Sequence, residues 1–324
     1  WPQELRLHLF TIGQQLKGQI CLSRPLPPDP KAAMDHVGRL SVELLEQYQI
    51  PPENLCAVSV STAGTVDYKT GRLKYSSQSP AWGTDVPLVS YLQPYFAPNT
   101  MIFLENAGKM TARPFLLEKD LAGKRVLVIF ACWGLSSCLI EKGRILGGKN
   151  SLIGEIGHMI IDPSDPETCG CGSHGCLERL VSVDRVRSIL QQQAAHFPGS
   201  SLLQSDPEQI TIPQVFAASS QEDPLARYLV DYLARAFAAA LRNISLVFDP
   251  DLIVFQGDYA WADPYFDQRL RGILREFQYF PPEGPFEIHY DQRPLAEMDV
   301  LGSYTALTRR YFATPALYQE SDPG

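Results

Sequence analysis

One short segment restricts the fold of this chain more than any other. His158, Cys169, Cys171 and Cys176 follow the pattern His-x10-Cys-x-Cys-x4-Cys. Gly170, Gly172 and Gly175 separate and flank the cysteines and give the backbone the freedom to turn three thiolates onto one point. Four nitrogen and sulfur ligands are what tetrahedral Zn²⁺ takes in a closed structural site, and thiolates favour zinc over magnesium or calcium. Such a set leaves no open position for water or substrate, so the ion is expected to be structural. His174, inside the loop, is a competing nitrogen ligand.

Cys21, Cys56, Cys132 and Cys138 are scattered in apolar surroundings and read as reduced core thiols. Residues 1–20 show no basic start, apolar stretch and cleavage site, and no apolar run approaches the ~18 residues needed to span a membrane. Clustered cysteines without a secretion signal argue for metal over disulfides and for a cytoplasmic chain. The formal net charge of −8 does not attract DNA phosphates, and no basic run supplies a DNA contact. The 324 residues suffice for two ordinary domains. The first residue is Trp1, so the chain is expected to come from a longer one.

Residues 4–22 read as a strand, a turn and a second strand, and 31–49 as a helix carrying Met34, Val37, Leu40, Leu44 and Leu45 at helical spacing. Residues 55–60 read as a buried strand ending in the small-residue turn 61–64. Further strands are expected at 100–104, 125–131, 136–140 and 252–255. Residues 107–118 can be helical up to Pro114. The clearest helix is 225–247, with Leu229, Leu233, Phe237, Leu241 and Ile244 on one face. A last helix is expected at 301–312, a surface loop at 196–213, and loose order in the last dozen residues. Strands alternating with helices of this length indicate an α/β fold.

The metal segment carries a resemblance. Gly154-Glu155-Ile156-Gly157-His158, followed by Cys169-Gly170-Cys171-Gly172-Ser173-His174-Gly175-Cys176-Leu177-Glu178, resembles the signature of the ROK family (repressors, open reading frames and sugar kinases). Residues 61–67 with Gly71 resemble the family's Pro-Gly-x-Val-Asp segment, with Ala63 for Pro. Trp82 with Val86-Pro87-Leu88, and Glu105-Asn106, resemble two further elements. The likeness runs from about 4 to 312 and is densest over 152–184. It implies a two-domain, actin-like (ribonuclease H-like) α/β fold, with a smaller domain over 1–105, completed by the last helix, and a larger one over 106–300. It assigns His158 rather than His174 to the metal. By match, Asn106, Glu155, His158 and Glu178 contact sugar hydroxyls, a task suited to amides and carboxylates because a sugar presents both donors and acceptors. The resemblance also implies a homodimer and a sugar or sugar-phosphate ligand in an interdomain crevice.

Three departures bear on activity. Family kinases carry Asp after that Asn as the base for the sugar hydroxyl, and here the position is Ala107. Nothing in residues 1–20 matches the family's Asp-x-Gly-Gly-Thr phosphate turn; Gly13-Gln14-Gln15 comes nearest. The second phosphate loop aligns with residues 132–137, where Trp133 and Leu135 are expected to crowd the approach to a phosphate. ATP is therefore not expected as a ligand. The sequence points to a sugar-sensing effector domain of a ROK repressor, reaching DNA only through a helix-turn-helix outside this chain. A sugar kinase with an unusual base and a silent sugar-binding protein are the alternatives.

Overall fold

The structure, a computed structural model, describes residues 5–23 and 25–313. In chain order the elements are β1 (Leu5–Phe10), β2 (Leu16–Leu22), α1 (Pro30–Gln47), β3 (Ala57–Thr62), β4 (Thr65–Asp67), β5 (Arg72–Tyr75), α2 (Leu88–Leu92), β6 (Met101–Asn106), α3 (Ala107–Ala112), β7 (Arg125–Ala131), β8 (Leu135–Glu141), β9 (Arg144–Ile145), α4 (Leu177–Leu180), α5 (Val183–Gln193), α6 (Ile212–Ser220), α7 (Pro224–Phe248), β10 (Leu252–Gly257), α8 (Pro264–Arg275), β11 (Glu287–Tyr290) and α9 (Leu295–Phe312). They form two compact units. One holds the described residues up to Leu117, Gly148–Leu152 and those from Ala296 on; the other holds Glu118–Gly147 and Ile153–Leu295. These units are offset from the division expected at residue 105, and Asn106 with α3 lies in the first.

In the first unit β3 runs parallel to β6, so that Thr62 stands beside Asn106 where the two strands end. Helix α1 starts at Pro30, whose missing N–H costs nothing at that position, and the Asp29 side chain accepts from the Ala32 N–H at 2.7 Å. Its Ala33, Met34 and Val37 share a core with Leu73, Leu88, Leu92 and Leu104. Helix α9 approaches α3 so closely that a Cβ on Gly302 would stand 1.9 Å from the Met110 carbonyl oxygen.

In the second unit the described strands form a sheet in the order β11-β10-β7-β8-β9, parallel across its first three strands and antiparallel beyond. Helix α7 is capped by Asp223, whose side chain accepts from the N–H groups of Leu225 and Ala226. Its Leu229, Leu233, Phe237, Leu241 and Ile244 join Leu127 and Ile129 of β7 and Phe255 of β10 in one core. Burying each such side chain stabilises by about 1.5–3 kcal/mol. The Phe237 and Phe255 rings meet edge-on, 5.3 Å between centroids. No helix among the described residues is long and apolar enough to cross a membrane.

Several expectations need correction. Strand β3 is half-buried throughout, not buried. Of the four scattered cysteines only Cys138 is buried; Cys56 and Cys132 are half-buried and Cys21 is exposed. Residues 196–213 are more than a surface loop: Leu202, Ile210 and Ile212 join the second unit's core, and α6 begins inside the segment. Helix α9 starts at Leu295, and α5, α6 and α8 add to the helices expected. The last dozen residues lie outside those described, apart from Ala313.

Candidate metal centre and ligand site

His158 ends a single 3-10 turn, Ile156–His158, and Cys176 precedes α4. Residues 159–161 run beside 175–177: the Leu177 N–H donates to the Met159 carbonyl at 2.9 Å, and the Ile161 N–H to the Gly175 carbonyl at 2.7 Å. Between these strands of chain lies a tight hairpin, pinned by the Cys169 N–H to Ser173 carbonyl bond at 2.8 Å. It carries Cys169 and Cys171 back to the other two ligands. Gly175 makes the crossing possible. Its φ is 67°, and a Cβ there would stand 1.7 Å from the Asp162 carbonyl oxygen.

The ligand atoms of His158, Cys169, Cys171 and Cys176 lie within 4.8 Å of one another and form a group that can hold a metal ion. The Cys169 Sγ is 3.7 Å from His158 Nδ1, and the Cys171 and Cys176 sulfurs are 3.6 Å apart. A tetrahedral zinc with Zn–S bonds of about 2.3 Å separates its sulfurs by about 3.7 Å, so the spacing suits that ion. Burial pushes the Cys169 and Cys176 thiols up. A divalent cation would reverse this by holding them as thiolates. His174 is exposed, in a bridge with Thr168, and stands outside the group.

Charged side chains brace the loop from outside. Arg185 of α5 donates to Asp165 at 2.7 and 2.5 Å, and Arg179 of α4 donates to Glu167 at 2.7 Å. The Asp165 side chain is 2% exposed. Burial would raise its carboxyl, but Arg185 and the Glu167 N–H hold it below the ordinary carboxylate value. Sequence reading missed this brace, since only the fold brings α5 against the loop.

Glu155, His158 and Glu178 are half-buried and belong to the second unit. Glu178 accepts from the Leu135 N–H at 2.8 Å, at the start of β8. Gly157 keeps the turn against that strand, where a Cβ would stand 2.2 Å from the Leu135 carbonyl oxygen and 3.3 Å from the Glu178 Cβ. Asn106, in the first unit, is buried and caps α3. Its Oδ1 accepts from the Lys109 N–H at 3.1 Å and its Nδ2 donates to the Gly64 carbonyl at 2.8 Å. Ala107 is the first residue of that helix. Glu105 is turned to Arg113, at 2.8 Å, and Asp85 to Lys74, at 2.7 Å.

At the loop aligned with the second phosphate segment, Trp133 is exposed, but Leu135 is buried in the core, so the expectation that Leu135 crowds the loop fails. Cys132 donates through sulfur to Asp258 at 3.7 Å; burial and that neighbouring acid push its thiol up to about 12.

The model of the ROK family matches residues 12–292. The chain belongs to the ROK family. A glucokinase from Thermotoga maritima is 26% identical over 265 residues, covering 78% of this chain and 79% of that protein. NagC, a DNA-binding transcriptional dual regulator from Escherichia coli K12, is 26% identical over 243 residues, covering 74% of this chain but 57% of its own length. A ROK transcriptional regulator described as a homologue of the E. coli Mlc protein superposes with a TM-score of 0.77 at 20% identity, over 95% of this chain and 78% of its own. The fold is thus the actin-like two-domain fold of ROK kinases and regulators. ROK relatives of both kinds match at the same level of identity.

Proposed function

We propose that this chain is the sugar-binding effector domain of a ROK transcriptional regulator, holds one structural zinc ion, and does not phosphorylate its ligand. Ala107 is the observation that carries this. The position that supplies the base in family kinases has no proton acceptor, and loss of a general base typically costs ~10²–10⁴-fold in rate. Asn106, Glu155, His158 and Glu178 are all retained, so the hydroxyl-binding chemistry outlasts the catalytic chemistry. A zinc held by one ring nitrogen of His158 would leave the other for a ligand hydroxyl. Two copies pair as a dimer. DNA contact falls to a segment outside these residues, whose charge of −8 does not draw phosphates.

A kinase is the second reading, favoured by the glucokinase match over 79% of that protein. A thermal-shift screen over hexoses, pentoses, N-acetyl sugars and their 6-phosphates tests the shared element. At least one is expected to raise the melting temperature. Glu178→Ala, checked for intact metal content, should weaken that ligand by about 1–3 kcal/mol. No shift with any sugar would overturn the sugar-binding reading.

A further inference from the structure

An acid stands at the mouth of the loop aligned with the second phosphate segment. That loop follows β7, and β10 ends beside it. Ala131 and Gly257 are partners in the register of the two strands. A Cβ on Gly257, at φ 83°, would stand 2.2 Å from the Ala131 carbonyl oxygen, so the strand ends are pressed together. Cys132 and Asp258, the next residue of each, are held at that junction, and the Cys132 thiol donates to the Asp258 carboxylate at 3.7 Å. The carboxyl ends of parallel strands are where α/β sheets receive their ligands.

A phosphate is held by backbone N–H groups that converge on it and by positive charge. The loop turns its amides elsewhere. The Cys132 N–H donates to the Gly134 carbonyl at 3.0 Å and the Ser137 N–H to the Gly154 carbonyl at 2.6 Å. The Leu135 N–H donates to Glu178 at 2.8 Å. Asp258 is half-buried, its contact is a thiol, and among the described residues it enters no ion pair. Burial already pushes its carboxyl above the ordinary carboxylate value. A phosphate brought beside it would add a like charge, and that cost opposes binding.

We propose that Asp258 shuts nucleotide phosphates out of this loop, so that the chain is closed to ATP independently of Ala107. The proposal rests on the non-kinase reading above and gives that reading a second cause, on the nucleotide side. It also replaces Leu135, which is buried in the core, as the side chain that keeps a phosphate away.

Calorimetric titration of the full chain with MgADP and, separately, with tripolyphosphate tests this. The unmodified chain should bind neither more tightly than about 1 mM. Asp258→Asn keeps the shape of the side chain and loses its charge. It should bind at least one of the two probes about tenfold or more tightly than the unmodified chain does. Asp258→Ser, also uncharged, should open the loop likewise and serves if Asp258→Asn does not fold. Asp258→Glu should stay closed. Glu287→Gln, which removes a carboxylate 71% exposed on the same unit, should gain nothing. Micromolar binding of either probe by the unmodified chain overturns the proposal. So does an uncharged variant at 258 that folds and binds no better, a result that leaves the non-kinase reading standing on Ala107. An equal gain in Glu287→Gln would assign the effect to net charge rather than to this position and would also overturn it. ADP release by Ala107→Asp with Asp258 in place overturns it as well. Sugar phosphorylation by the unmodified chain removes the non-kinase reading and the proposal together.

Discussion

Gly175 is where the metal loop leaves least room for change. Its left-handed backbone and its contact with the Asp162 carbonyl exclude any side chain. Gly175→Ala should cost more than about 1 kcal/mol, since alanine at positive φ is strained even without a clash. It should lower the melting temperature and the bound metal together; a variant with full stability and full metal would refute this account of the loop. Cys171→Ser removes one thiolate from the group. Elemental analysis of protein purified without added metal should find one zinc per chain in the unmodified protein and a large deficit in the variant. Folded protein without zinc would count against the metal assignment, and chelation of the metal should lower stability. The ligand set was legible because cysteine spacing is local. The brace of Asp165 by Arg185 was not, because the two residues stand twenty apart and nothing local in sequence sets α5 against the loop.

Helix α5 and the metal loop are held by charge. The Asp165 and Arg185 side chains are 2% and 14% exposed, so removing one partner strands the other away from water. Arg185→Ala is expected to cost about 3–5 kcal/mol in denaturant unfolding. The pH dependence has a definite sign. The Asp165 carboxyl is held below its usual value in the folded chain. Its contribution is therefore present above the unfolded value of about 3.9 and fades as pH falls through the folded value. The gap between Arg185→Ala and unmodified protein should narrow below about pH 4; a constant gap would mean the ion pair is not its source. Elements with long regular patterns were readable: α7 follows its 3.6-residue stripe to within a residue at each end. Segment 196–213 was not, because Pro, Ser and Asp conceal scattered core residues such as Leu202 and Ile210, and the Thr211–Gln214 capping box that starts α6 is a short signal.

For the whole molecule, family and fold are set by the match over residues 12–292 and by structures that superpose on nearly the whole chain. Kinase and regulator are not separated at that scale, because both are built on one fold and function resides in the site. The separation comes down to one side chain and the loops that would meet a phosphate. Phosphoryl transfer depends mainly on positioning and charge stabilisation, so a missing base alone can leave residual turnover. The most direct measurement is an ADP-release assay with ATP and the sugar identified by thermal shift, run on the unmodified chain and on Ala107→Asp. The account predicts no release above background from the unmodified chain. Release appearing only in Ala107→Asp would show that a nucleotide site survives and that the base was the decisive loss. Robust release from the unmodified chain would contradict the account and make the protein a kinase.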